Sequence, residues 1–259
     1  MPCRYCGRSL AAQPGQLACD CPPRMVVAPS AEANKVAIAL GVGCHAPFAA
    51  AEPQPSAQCL EIASGTGQHV AHLAAAYPHV EFQPSEFSGG CSGPAAQPYG
   101  SLEPVFASIE AHAHHLPNVR PALELDASAV PWPPAIEARR FDAIIACNLC
   151  HIAPWRTTEG LLAGAARVLA LTGRLFVYGA FAPGDGRLLP TANARFDARL
   201  REHNQEWGVR DASVLVELAE RRHALRLVAQ EEMPGDDMLL VFERTESARA
   251  MGLGSDSRG

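Results

Sequence analysis

Residues 59 to 69 read CLEIASGTGQH. An apolar run carrying one acid, Glu61, breaks into small residues and then turns polar. Gly65 and Gly67 have no Cβ, so the backbone there can turn sharply and let a ligand come close. A helix beginning near Gln68 would aim its unpaired amides back at that turn. The chemistry this suits is recognition of a nucleoside-bearing ligand. A pyrophosphate site wants G-x-G-x-x-G. Counted from Gly65, the third glycine would fall at position 70, which is Val70, and this argues against a nicotinamide oxidoreductase. Glu86 lies 19 residues beyond Gly67, close to where an acid accepts hydrogen bonds from both ribose hydroxyls. Asp126 ends the segment LELD, Asn148 follows the apolar run FDAIIA, and Tyr178 ends another strand-like run. His151 is the candidate proton acceptor, because an unperturbed pKa near 6.5 suits proton removal at neutral pH. Each group has a plainer reading beside the chemical one. The glycine turn can be a simple connection, Glu86 an exposed loop carboxylate, and His151 a residue that fixes its loop through the backbone.

These residues need elements to hold them. From Ala31 onward strand and helix signals alternate, which points to βαβ units and a mostly parallel sheet. Strands are expected at 58–62, 80–83, 122–125, 141–146, 174–178, 225–229 and 238–242. Val70, Leu73, Ala74 and Tyr77 recur at helical spacing before Pro78, and Leu161, Leu162, Ala165, Val168 and Leu169 mark another helix face. Further helices are expected over 102–114, 192–203 and 212–224. In such a sheet Glu61, Glu86, Asp126 and Asn148 fall at four consecutive strand ends, where open α/β sheets bind ligands.

The pattern acid-x-small-x-Gly-x-Gly, formed by Glu61, Ala63, Gly65 and Gly67, resembles motif I of class I methyltransferases that use S-adenosylmethionine (SAM). Further segments extend the likeness: AEANK (31–35), FQPSE (82–86), NLCHIAPW (148–155), TEGLLAGAARVL (158–169), YGAF (178–181), NARFDARLREHNQEWGVRD (193–211) and MPGDDMLLVFER (233–244). Together they cover 31–244, and the chain resembles the methyltransferase-like protein 26 family. The resemblance implies a Rossmann-like class I methyltransferase fold, a mostly parallel seven-stranded sheet with helices on both faces. It implies SAM as cofactor, held by Glu61, Ala63, Ser64, Gly65, Thr66, Gly67, Glu86, Asp126 and Asn148, with Asn148, His151 and Tyr178 on the catalytic side. The chain departs from the family in its Asp236-Asp237 pair, where an Asn pair is usual, and in an inserted loop over 88–100.

Composition bounds the rest. A chain of 259 residues with 48% hydrophobic content can bury one sizeable core. The expected domain runs over 31–245, between a leader (1–30) and a polar tail (246–259). A net charge of −6 and no basic run argue against nucleic acid as partner, and no stretch of the roughly 20 apolar residues of a membrane span is present. Cys3, Cys6, Cys19 and Cys21 raise zinc, although the second pair is spaced by one residue, which is unusual for a chelating pair. The plainer alternative is an unstructured leader or a transit peptide. Nine cysteines at scattered spacings do not read as a disulfide scaffold, which places the chain in a reducing cytoplasmic setting, or in an organelle if the leader is a transit peptide. The expected partner is a small-molecule or protein methyl acceptor, and the expected state a monomer or weak dimer. The competing reading is a non-catalytic SAM-binding protein on the same fold. Arg201 and Arg210 are either a solvated face or contacts for an anionic substrate.

Overall fold

The computed structural model of the chain describes residues 29–45, 48, 57–87, 102–184 and 191–245. The leader up to residue 28 with its four cysteines, the 88–100 insertion and the tail from 246 lie outside the described residues. The elements run α1 (Pro29–His45), β1 (Ala57–Ile62), α2 (Gln68–Ala76), β2 (Val80–Glu86), α3 (Leu102–Ala113), β3 (Leu123–Glu124), α4 (Pro134–Glu137), β4 (Phe141–Cys147), α5 (Trp155–Val168), β5 (Leu169–Ala182), α6 (Thr191–His203), β6 (Arg210–Asp211), α7 (Ala212–His223), β7 (Leu225–Met233) and β8 (Asp237–Arg244).

All the strands form one sheet in the order β3-β2-β1-β4-β5-β8-β7, and β6 pairs with β5 outside that path. β1 lies parallel to β2 and β4, and β4 parallel to β5. β8 runs antiparallel to both β5 and β7. The α/β class and the mostly parallel sheet are therefore as the sequence implies, but the sheet has eight strands rather than seven. The extra one, β6, has two residues and is too short to carry a period.

Two apolar layers cover the sheet. Ile136, Leu161, Leu162, Ala165, Leu215 and Ala219 bring α4, α5 and α7 onto one face. Ile38, Val42, Val70, Leu73, Val105 and Ile109 bring α1, α2 and α3 onto the other. β4 has both faces covered, so Ala143, Ile144, Ile145 and Ala146 are all fully buried and its sequence is a continuous apolar run. Burying a side chain such as Ile144 contributes about 1.5–3 kcal/mol.

Some elements differ from the sequence reading for physical reasons. α1 is apolar on both sides: Ile38 and Val42 are buried, while Val36 and Leu40 are 51% and 67% exposed, so no amphipathic stripe marks it. β2 continues through Pro84 to Glu86, because proline fits an extended backbone and removes only one ladder donor. β5 begins at Leu169 and bends past Gly173 before its regular pairing with β4 starts at Arg174.

The strand order reverses at β1: β2 lies on one side of it, and β4, which comes later in the chain, on the other. The crevice beyond the carboxyl ends of β1 and β4 is where such sheets take ligands.

Candidate functional site

The chain leaving β1 turns through positive φ at Ala63 (57°), Gly65 (54°) and Gly67 (87°) before entering α2. A Cβ on Gly67 would sit 2.6 Å from the Ile109 Cα on α3, so only glycine lets α3 close against the turn. A Cβ on Gly65 would meet nothing within 4 Å, so that backbone faces open space. The turn is tied to β2: Ser64 N–H donates to Ser85 O (2.8 Å), and Ser85 Oγ donates to Glu61 O (2.7 Å). Gly65 N–H donates to Glu86 Oε2 (2.7 Å), and Phe87 N–H donates to Glu86 Oε1 (2.9 Å). Glu86 is thus a fixed residue of the turn rather than an exposed loop carboxylate. Each of its oxygens keeps a second lone pair for a ligand hydroxyl.

Glu61 is 1% exposed, and neither carboxylate oxygen has a hydrogen-bond partner among the described residues. Burial pushes its pKa up to about 8; the Ser64 hydroxyl offsets this in part without reaching hydrogen-bond geometry, and Glu86 adds repulsion. A buried carboxyl left this way calls for a cationic or donor partner from outside the protein.

Asp126 stands two residues past β3, where its Oδ1 accepts from Ser128 N–H (2.8 Å) and Ser128 Oγ–H (2.7 Å). This is a local turn cap. Asn148 leaves β4 at φ 58°, a conformation asparagine tolerates, and its N–H donates to Tyr178 O (2.8 Å). His151 is 4% exposed and stands edge-on to Phe196 with ring centroids 5.1 Å apart. A Cβ on Gly179 would come within 3.2 Å of its ring, so that glycine makes room for the imidazole. Burial, with Arg210 nearby, lowers the His151 pKa to about 4, not the near-6.5 of the sequence reading. His151 is neutral at physiological pH, and its buried Nδ1 has no partner among the described residues.

Tyr178 is 2% exposed, and its hydroxyl donates to Asp237 Oδ2 at 2.6 Å. Burial and that carboxylate push its pKa far up. The hydroxyl is engaged within the protein, so Tyr178 is a built-in part of the wall and not a free hydroxyl lining the pocket.

The segment WGVRD, distinctive in the sequence, is a clamp on the β4–α5 loop. Gly208 N–H donates to His151 O (3.0 Å), and Arg210 donates to Cys150 O (2.9 Å) and Ala153 O (2.6 Å). Arg201 pairs with Asp197 at 2.8 Å. Both arginines have partners within the protein, Arg210 the loop carbonyls and Arg201 an i,i+4 carboxylate on α6.

His69 and Asn34, which the sequence reading did not single out, and Asn193, which it placed in a polar set on the following helix, complete the cluster. His69, in the first turn of α2, contacts Asn34 Oδ1 on α1 at 2.9 Å through Nε2. Asn193 Nδ2 donates to Asp236 O (2.8 Å), fixing the β7–β8 turn that presents Asp237. The signal was present, since these residues lie inside AEANK, EIASGTGQH, NARFD and MPGDD. Nothing in one sequence says that four segments so far apart converge. Among the described residues no cluster of His, Cys, Asp and Glu could hold a metal ion, and no helix is long and apolar enough to cross a membrane.

The architecture is that of class I methyltransferases. An O-methyltransferase family protein from Burkholderia thailandensis matches with a TM-score of 0.61 at 16% identity, over 83% of this chain and 58% of that one. A mitomycin 7-O-methyltransferase matches with a TM-score of 0.61 at 15% identity, over 82% and 54%. Human N-acetylserotonin methyltransferase, solved in complex with SAM, matches with a TM-score of 0.56 at 13% identity, over 73% and 47%. The chain spans about half the length of these proteins, and at such identities the likeness is one of fold. Residues 25–244 match the family described as "Protein of unknown function (DUF938)", and the chain belongs to that family.

Proposed function

We propose that the crevice binds SAM and that the protein transfers its methyl group to a small-molecule or protein acceptor. Kinship with the methyltransferase-like protein 26 family is part of this reading. The observation that carries it is the pairing of an orphaned, buried Glu61 carboxyl with the open face of Gly65. Such a pair suits a ligand that brings an ammonium group against bare backbone. Glu86 and the turn from Ala63 to Gly67 would hold the ribose and amino-acid portions, with Asn148 and Asp126 along the same edge.

SAM, when bound, supplies an activated methyl group on a sulfonium, so the residues of this chain have three tasks: to position, to exclude water and to take a proton. His151 is the group for the last. Being neutral, it accepts a hydrogen bond or proton from the acceptor, and an acid limb of turnover well below pH 6.5 is the expected outcome, because burial lowers its pKa to about 4. Glycine at 179 and the WGVRD clamp keep the ring in place.

The test is formation of S-adenosylhomocysteine from SAM in the presence of pooled small-molecule and protein acceptors. Turnover that falls in His151→Ala and Asn148→Ala supports the assignment, and full turnover in both removes those residues from the chemistry. SAM binding with no turnover on any acceptor would favour the non-catalytic SAM-binding reading.

A further inference from the structure

Four side chains from four elements follow one another on the α1/α2 face, with a hydrogen bond at each end of the row. His69 Nε2 meets Asn34 Oδ1 at 2.9 Å. The Asn34 amide also lies beside the Tyr178 hydroxyl, where it favours the phenolate and so opposes the rise in the Tyr178 pKa. Tyr178 in turn donates to Asp237 at 2.6 Å. Asn34 and Tyr178 are buried, while His69 and Asp237 are half-buried at the two ends.

The chemistry of the last member dictates the direction of all the others. An ionised carboxylate can only accept. Tyr178 must therefore give its proton to Asp237, and its oxygen then takes an N–H from the Asn34 amide. With Nδ2 so used, Asn34 turns its carbonyl to His69, and this oxygen can only accept. The His69 proton then lies on Nε2, and Nδ1 is left as an acceptor in the first turn of α2, directly after the glycine turn.

We infer that Asp237 is a positioning residue: through Tyr178 and Asn34 it fixes the proton of His69, and so presents an imidazole acceptor to an N–H or O–H group of a ligand seated on the Gly65–Gly67 turn. Asp237 stands where the resembling family has an amide. An amide can accept through its carbonyl, but it can also donate, so it leaves the direction of the chain open. The carboxylate closes that choice and strengthens the bond to Tyr178. The ligand part of this inference rests on the SAM reading; the hydrogen-bond direction does not.

The decisive experiment is the imidazole ¹H–¹⁵N spectrum of the full chain without ligand at pH 7. A solvent-protected Nε2–H resonance that disappears in His69→Gln is expected. In Tyr178→Phe and Asp237→Leu its exchange with water should accelerate at least about tenfold, while Asp237→Asn, whose carbonyl can still accept, should keep much of the protection. If Asp237→Leu does not fold, Tyr178→Phe decides alone. A protected proton on Nδ1, no protected resonance in the native chain, or unchanged exchange in the variants that fold would overturn the inference. Titration with S-adenosylhomocysteine gives the second readout. Asp237→Leu should bind about tenfold more weakly and Asp237→Asn within about twofold of the native chain. Equal affinity in all three would remove the positioning role. A native chain that does not bind the compound would refute the cofactor reading and leave the spectral result to stand on its own.

Discussion

Gly65 and Gly67 are two positions apart but have different surroundings, and their alanine variants should separate binding from stability. Gly67→Ala adds a Cβ 2.6 Å from backbone at Ile109, on a residue at φ 87°. It should cost about 2–5 kcal/mol in chemical denaturation, from left-handed backbone strain plus overpacking. Gly65→Ala meets open space and should cost only the backbone strain, about 1–2 kcal/mol, while obstructing the ligand face. Calorimetry should show it losing SAM affinity out of proportion to that loss. Glu61 carries a second prediction. Its folded pKa of about 8 lies above the ordinary 4.5, so between those values the folded state holds a proton that the unfolded state has released. Stability of the native chain relative to Glu61→Gln should therefore fall as pH rises through that window, by up to about 1.4 kcal/mol per unit. Denaturant midpoints at pH 5, 6.5 and 8 check the slope, and parallel curves would show that Glu61 is already ionised in the folded protein. Glu61 was legible in the sequence as the acid heading the turn. That it lacks a partner was not, because that depends on which groups β2, β4 and α2 fail to offer it.

At the scale of elements, small residues decide how closely the helices approach the loops that carry the site. A Cβ on Gly160 of α5 would lie 2.2 Å from Ala127 O, and one on Gly164 would lie 2.1 Å from the Trp132 indole. The segment after β3, with Asp126 in it, is packed directly on this helix. Gly160→Ala should cost about 1–3 kcal/mol, because the obstructing atom is backbone and has no rotamer to change. A melting temperature equal to the native one would mean that the 126–132 segment can move away freely. The cap of α7 provides an independent check: Asp211 Oδ1 accepts from Ser213 N–H at 2.8 Å, and Asp211→Ala should cost about 1 kcal/mol. Elements with a clear period, such as α2 and α5, or with a bounded apolar run, such as β4, could be read from the sequence. α1 could not, since apolar side chains lie on both its faces. Nor could β6, whose two residues pair with the end of β5 and are too few to carry a period. The WGVRD clamp binds Arg210 to loop carbonyls, a role that residue type alone does not distinguish from contact with an anion.

For the whole molecule, the titrating groups at the crevice combine into one pH profile. His69 and His151 both have folded pKa values lowered to about 4 by burial, from an ordinary 6.5. Each contributes stability above pH 6.5 that is lost as pH falls toward 4, because the unfolded chain takes up protons that the folded one refuses. Glu61 acts in the opposite sense up to about pH 8. Glu86 and Asp237, whose pKa values burial also raises, act in the same sense as Glu61; the histidines oppose these carboxyls below 6.5 and cease to titrate above it, so a stability maximum near pH 6.5 is the expected outcome. Loss of that maximum in a Glu61→Gln, His151→Gln double variant would trace it to the crevice. The class of fold was legible from four polar groups at consecutive strand ends. The convergence of α1, α2, β5 and β8 on one row of polar side chains was not, because it depends on the antiparallel return of β8 beside β5. The most direct test of the account is calorimetric titration of the full chain with S-adenosylhomocysteine, with NAD as control and Glu86→Ala as variant. Micromolar binding that the variant loses, and no binding of NAD, is the expected result. A folded chain that ignores S-adenosylhomocysteine, or a Glu86→Ala variant that binds it as well as the native protein, would contradict it.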